Sequence, residues 1–244
     1  GIRGLLISLA LSWARHGSLD GPRRFPEIAL SRRIIAADHW TSKPPGSAKG
    51  FHPFHVSGCA KTGQGLRNDD ALLIQRQASK LVDYESINPY SFAPAIAPHI
   101  AAEQGGEEIN LREIVAHFTT LQAQADYVVV EGVGGWLVPL NNEESVADLA
   151  AALKLPVILV VGLRLGCINH ALLSAESIRQ SGCTLACWIA NSLNTDMDEQ
   201  QQNIDAIAQR IDAPLLATVP HLDALDASAI AAHFANPLTA GSIT

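Results

Sequence analysis

The run Tyr127-Val128-Val129-Val130-Glu131-Gly132-Val133-Gly134-Gly135-Trp136 constrains the fold of this chain more than any other stretch. Consecutive β-branched residues with no polar alternation read as a strand buried on both faces, the form strands take in a parallel sheet covered by helices. Glu131 then stands at the carboxyl end of that strand, the rim where open α/β sheets bind ligands. The glycines after it let backbone N–H groups approach a polyphosphate, and a carboxylate there can hold a hard cation such as Mg²⁺ or order a water on it. A plain structural reading stays open beside this one: a buried strand, a tight turn, and a carboxylate solvated at the sheet edge.

The chain around this run alternates strand and helix with short connections, the pattern of a parallel α/β sheet. Strands are expected at 127–131, 155–162, 184–191 and 213–219, with helices over Val146–Leu153, Asn169–Gln180 and Asp198–Ile211. Leu111, Ile114, Val115, Phe118 and Leu121 recur at helical spacing after a Gly105-Gly106 turn. Asp69 to Ala78 reads as a helix capped by Asn68 or Asp69. Residues 82–100 carry Pro89, Pro94 and Pro98, which cannot continue a helix or sit in a central strand, and are expected to form an ordered surface loop near the site.

A length of 244 residues fits one domain or two, and the net charge of −7 argues against a nucleic-acid partner, which needs clustered Lys and Arg. The charge is unevenly spread. Residues 1–56 carry six Arg and two Lys against three acids, whereas residues 57–244 carry nine basic and twenty-one acidic residues. The chain therefore divides on composition into an atypical segment, 1–56, and an α/β domain, 57–244. A short helix near the start is the one element pattern reasoning offers before residue 56, and no central strand is expected there. Leu5 to Trp13 is an apolar run too short to span a membrane. Cys59, Cys167, Cys183 and Cys187 lack the paired spacing of a zinc site and read as free thiols in a reducing cytosol.

From Ser57 to about Leu222 the chain closely resembles dethiobiotin synthetases, the ATP-dependent ligases that close the ureido ring in biotin biosynthesis. The resemblance rests on Ser57-Gly58-Cys59-Ala60-Lys61-Thr62, Gly65-Leu66-Arg67-Asn68-Asp69-Asp70-Ala71-Leu72, Asn88-Pro89-Tyr90 and Pro98-His99. It continues through Val130 to Trp136, Leu155 to Gly162, Gly166-Cys167-Ile168-Asn169-His170 and Trp188-Ile189-Ala190-Asn191. What it implies is a P-loop NTPase-like layered fold with a mostly parallel sheet flanked by helices. It also implies a cytoplasmic homodimer that takes 7,8-diaminopelargonate, CO₂ and ATP with Mg²⁺, and no membrane partner.

On the matching positions the resemblance makes Asp70 and Glu131 the metal and ATP-phosphate carboxylates. Gly132, Val133 and Gly134 become backbone contacts to nucleotide or carbamate, while Asn191, Ser192, Pro220, His221 and Leu222 surround the base. Ser57, Gly166, Cys167, Ile168 and Asn169 become substrate contacts, the last four across a dimer interface. Read without it, Asp70 is a helix-start carboxylate, Asn169 an N-cap, Cys167 a buried thiol and Ser57 a loop serine. His99 and His170 read as structural hydrogen-bonders.

The family's N-terminal motifs are not matched. By spacing from Ser57 the P-loop is expected near residues 24–32, where Arg24 to Arg32 contains no glycine, and Pro53 stands where the family has a second lysine. No catalytic lysine is therefore matched. Ala60-Lys61-Thr62 echoes the end of a P-loop, but lacks the strand-to-helix glycine loop that converges backbone N–H groups on phosphates. Two readings follow: a ligase that works through a carbamate and a carbamic-phosphoric anhydride, or a degenerate paralogue or frame-damaged product that keeps only dimerisation and partial ligand binding.

Overall fold

In the computed structural model, residues 4–10, 48–51, 54–55, 59–78, 82–125, 127–132, 134–195, 197–222 and 233–234 are described. Six of their strands form one sheet: β1 (Gly4–Ala10), β2 (Ala48–Phe51), β7 (Tyr127–Glu131), β8 (Val157–Leu163), β9 (Leu185–Ser192) and β10 (Leu215–Val219). Their order across the sheet is β10-β9-β8-β1-β7-β2, and every neighbouring pair is parallel. All carboxyl ends therefore gather along one rim. Two small sheets lie outside it, a parallel pair of β3 (Phe54–His55) with β6 (Tyr90–Ser91) and an antiparallel hairpin of β4 (Ala60–Thr62) with β5 (Gly65–Arg67).

The helices among the described residues are α1 (Asp69–Gln77), α2 (Tyr84–Ile87), α3 (Pro98–Gly105), α4 (Leu111–Ala123), α5 (Val146–Leu153), α6 (Cys167–Gln180) and α7 (Gln200–Ala208). None of the described helices is long and apolar enough to cross a membrane. Strand β8 shows why the sheet is layered: all seven residues are buried, with Val157, Leu159, Val161 and Leu163 in the larger core and Ile158 and Val160 in a second cluster with Cys187, Ile189 and Val219. Alternate residues of a strand point to opposite faces, so a run of this kind is stable only with apolar cover on both. Each fully buried Val, Ile or Leu contributes about 1.5–3 kcal/mol over its exposed state.

Three expectations are corrected. The first concerns the N-terminal segment: Gly4–Ala10 is a strand rather than a helix, and it lies centrally, paired on one side with β7 and on the other with β8. A short apolar run without alternation fits a buried helix and a buried strand equally, and here its pairing partners decide. Segment 1–56 also supplies β2, which closes the sheet beyond β7. The second concerns residues 82–100, of which only 93–96 form an exposed loop. Tyr84, Ile87, Asn88, Tyr90, Phe92 and Pro98 are buried, and Pro98 starts α3 where its missing N–H costs no bond. The third concerns helix starts: α6 begins at Cys167 after a left-handed Gly166, so Asn169 is inside the helix and not its cap, and α7 begins at Gln200 after a left-handed Glu199.

Candidate functional site at the carboxyl rim of the sheet

The rim is built from the exits of β7, β8, β9 and β10, with α1 packed on the neighbouring strand β2. Glu131, the last residue of β7, is 1% exposed and pairs in register with Ile7 of β1. Gly132 after it is buried, and Gly134 adopts a φ of 76° that an L side chain rarely takes. A Cβ on Gly134 would also lie 2.9 Å from Val138 Cγ2. The bend is anchored downstream by buried Trp136 and by Asn141, whose Nδ2 donates to the Ile109 carbonyl at 3.0 Å and whose Oδ1 accepts from Glu143 and Glu144 N–H. The segment after Glu131 is therefore tied into the fold before α5 begins.

Asp70 occupies the first turn of α1 and is 2% exposed. Asn68 caps that turn, its Oδ1 accepting from Asp70 N–H at 2.7 Å and Ala71 N–H at 3.3 Å. Helix α1 packs on β2, and Phe51 of β2 pairs with Val130, the residue before Glu131. Asp70 thus lies in a helix that packs on β2, and Glu131 in β7, the strand paired with β2. Two carboxylates are a sparse set for a metal, and no cluster of three metal-ligating side chains occurs among the described residues. That fits Mg²⁺, which keeps most of its waters and is held by one or two carboxylates together with substrate phosphates.

On the other side of β1, the exits of β8, β9 and β10 converge. Asn191 pairs with Gly162 of β8 and with Val219 of β10, so Pro220, half-buried Leu222 and exposed His221 leave the sheet immediately beside it. Asn191 and Ser192 are buried, and neither Asn191 Oδ1 nor Ser192 Oγ has a hydrogen-bond partner among the described residues. Buried polar atoms are normally paired, so a rim with two such acceptors is suited to a polar ligand edge. Glu131 and Asn191 end strands three steps apart in the sheet order, which is roughly 14 Å across the sheet at the usual strand spacing.

Gly166 to Asn169 follow the exit of β8. Cys167 is buried, Ile168 half-buried and Gly166 and Asn169 exposed, with Leu165 97% and Leu173 62% exposed along the same stretch. The rim therefore has three parts: the Glu131 carboxylate with its glycine bend, the Asn191 Oδ1 and Ser192 hydroxyl, and the start of α6 behind exposed Leu165. Ser57, Val133, Pro53 and residues 24–32 lie outside the described residues. A strand-loop-helix phosphate cradle would begin directly after β1, at Leu11, and no G-x-x-x-x-G-K-[ST] occurs from there to residue 47. Lys61 lies in the exposed β4–β5 hairpin, which is not such a cradle.

Other residues settle differently from expectation or were missed. The Nδ1 atoms of His99 and His170 are buried with no hydrogen-bond partner among the described residues, so that nitrogen is not a structural hydrogen-bonder in either. Burial pushes the Cys59 thiol up to about 11 and the Cys187 thiol to about 12, and all four cysteines are free. The hydroxyl of Tyr84, which no sequence pattern singled out, accepts from Asn68 N–H at 2.8 Å. The one sequence signal that pointed toward it was Asn68 as a cap.

Residues 59–229 match a family model described as an AAA domain. The chain is 49% identical to the ATP-dependent dethiobiotin synthetase of Cellvibrio japonicus, over 77% of this chain and 82% of that protein. It is 50% identical to that of Pseudomonas aeruginosa PAO1, over 73% and 78%. Its match to the protein of Aromatoleum aromaticum, 45% identical, spans 86% of this chain and 93% of the other, so it reaches back into the first 56 residues. The septum site-determining protein MinD of Pyrococcus horikoshii, solved with Mg-ADP, superposes with a TM-score of 0.50 at 10% identity, over 95% of this chain and 93% of that one. That likeness speaks for the P-loop NTPase type of α/β fold.

Proposed function

This chain belongs to the ATP-dependent dethiobiotin synthetase family, and on that premise we propose that it carboxylates 7,8-diaminopelargonate and closes the ureido ring in the cytoplasm, at the expense of ATP. In this reaction one amine traps CO₂ as a carbamate, and the carbamate oxygen displaces ADP from the γ-phosphorus. The second amine then attacks the carbonyl of the mixed anhydride, loses its proton and releases phosphate. Such a sequence asks the protein chiefly for positioning and charge neutralisation. The single observation that carries the reading is the burial of two carboxylates, Glu131 at the end of β7 before a glycine bend and Asp70 in the first turn of the helix that packs on the neighbouring strand β2.

Asp70 and Glu131 would hold Mg²⁺, which when bound supplies charge neutralisation to the β- and γ-phosphates. Gly132, Val133 and Gly134 present backbone groups to the nucleotide or the carbamate, and the absence of a side chain on the two glycines keeps that approach open. Asn191, with one donor and one acceptor on its amide, reads the adenine edge, with Ser192 beside it and Pro220, His221 and Leu222 closing over the base. Ser57 orients the carbamate. The first turn of α6, within the stretch from Gly166 to Asn169, offers the Ile168 and Asn169 N–H groups to the substrate carboxylate, the Cys167 N–H being taken by the Arg164 carbonyl. Leu165, just before that helix, and Leu173 within it are exposed, which supports its burial against a second subunit.

A second reading, a non-catalytic paralogue, is favoured by one specific observation: the sequence has no G-x-x-x-x-G-K-[ST], and Pro53 replaces the second family lysine. One assay separates the two. Purified full-length chain is incubated with ATP, Mg²⁺, bicarbonate and the diamine, and released phosphate and dethiobiotin are measured. Phosphate release that needs all four components, with product formed in equal amount, supports the ligase. Nucleotide binding without diamine-dependent phosphate supports the paralogue, and failure to bind either nucleotide or diamine removes both.

A further inference from the structure

The first turn of α1 is held from outside the helix. Asn68 is fixed at both ends: its Oδ1 accepts from the Asp70 and Ala71 amides, and its own N–H donates to Tyr84 Oη at 2.8 Å. Tyr84 is itself pinned. Its ring is buried, the Arg67 guanidinium lies 4.2 Å over its face, and Asn88 Nδ2 donates to the same hydroxyl at 3.1 Å and to Ser91 Oγ at 2.9 Å. Arg67 continues outward to Glu85 at 2.8 Å. A tyrosine in a separate helix thus sets the backbone orientation of the residue that caps the helix carrying Asp70.

We propose that Tyr84 is the positioning residue for Asp70: its hydroxyl fixes Asn68, Asn68 fixes the first turn of α1, and that turn directs the Asp70 carboxylate toward the magnesium nucleotide. This rests on the reading of Asp70 given above. The physical reason is that a carboxylate two residues past a cap inherits its direction from the cap. The Asn68 carbonyl accepts from Leu72 N–H at 3.0 Å, and the Tyr84 hydroxyl adds a hold on the opposite, N–H side of the same residue. Polar groups buried in this number stabilise no better than apolar packing of the same volume. Asn88 even keeps a buried Oδ1 without a partner among the described residues. What the arrangement supplies is a fixed direction, which partners of metal ligands commonly provide.

The test uses the full chain, Tyr84→Phe, Asp70→Asn and the double variant. Amide hydrogen exchange at Asp70 and Ala71 reads the cap, and Mn²⁺ binding in the presence of ADP, followed by electron paramagnetic resonance, reads the site. Tyr84→Phe keeps the ring and is expected to speed exchange at both amides and to weaken Mn²⁺ binding about tenfold, the lower end for loss of a ligand's orienting partner. ADP affinity in chelator is expected to stay unchanged, a selectivity that a general loss of structure would not show. In the Asp70→Asn background the same change is expected to have no further effect on Mn²⁺. Glu85→Gln, which breaks only the exposed ion pair, is expected to move neither readout.

Unchanged exchange in Tyr84→Phe, or faster exchange with unchanged Mn²⁺ affinity, overturns the proposal. If Asp70→Asn itself leaves Mn²⁺ binding intact, the metal reading of Asp70 fails and the proposal falls with it, an outcome told apart because exchange still responds to Tyr84→Phe. Asn88→Ala leaves the hydroxyl in place without its second partner. It is expected to shift both readouts in the same direction by less, and it serves should Tyr84→Phe not fold.

Discussion

Gly134 illustrates how one residue constrains the rim. Its φ of 76° and the 2.9 Å from a hypothetical Cβ to Val138 Cγ2 act together, because a β-branched valine has little rotamer freedom with which to move away. Gly134→Ala is expected to destabilise the protein by about 1–3 kcal/mol, the range for a non-glycine residue forced into a sparsely populated region. Urea denaturation checks this; an unchanged midpoint would contradict the strain. The cysteines give a second residue-scale test. With burial raising Cys59 to about 11 and Cys187 to about 12, the thiolate of Cys59 at pH 8 is roughly one part in a thousand, and thiolate is the reactive form. A disulfide reagent at pH 8 is therefore expected to leave both untouched in the folded protein and to titrate four thiols in denaturant.

Individual elements are terminated by local chemistry that reads directly. Helix α5 starts with a capping box: Ser145 N–H donates to Asp148 Oδ2 at 2.7 Å, and the Ser145 side chain accepts from the backbone of residue 148. Ser145→Ala is expected to cost about 1 kcal/mol, within the usual range for a lost cap. The hydrogen bond from the Ser145 side chain, followed by that from its backbone, holds the Asp148 carboxyl below its ordinary value. A carboxyl lowered in the folded state contributes stability that is present above its unfolded value and lost as pH falls through the folded one. The stability gap between wild type and Ser145→Ala is thus expected to narrow below the ordinary carboxylate range. Thermal melts from pH 7 downward measure it, and a gap that widens with acid would contradict the assignment. The α1 cap behaves otherwise, because Asn68 depends on a hydroxyl 16 residues away and not on its neighbours alone.

For the whole molecule the decisive feature is β1 between β7 and β8, since the connections on its two sides lead in opposite directions and ligand crevices open at such switch points. Proline removes a ladder donor, which a central strand does not tolerate and an edge strand can. Leu6→Pro, in a strand bonded on both sides, is expected to destabilise the protein strongly. Gly50→Pro, in the edge strand β2, is expected to cost less. Circular dichroism melts of the two variants compare them, and equal losses would contradict the central placement. Much of this molecule was legible in its sequence. The β7 run, the glycine bend, the α4 and α5 helices and the placement of Glu131 and Asn191 at strand ends all depend on periodicity and turn chemistry within a dozen residues. Only the tertiary structure decided that Gly4–Ala10 is a strand, that Tyr84, Ile87, Asn88, Tyr90, Phe92 and Pro98 are buried, and that Tyr84 reaches the Asn68 cap of α1. Parallel strands have no local partner, and a buried hydroxyl takes its direction from whatever packs around it. Neither is written in the spacing of nearby residues.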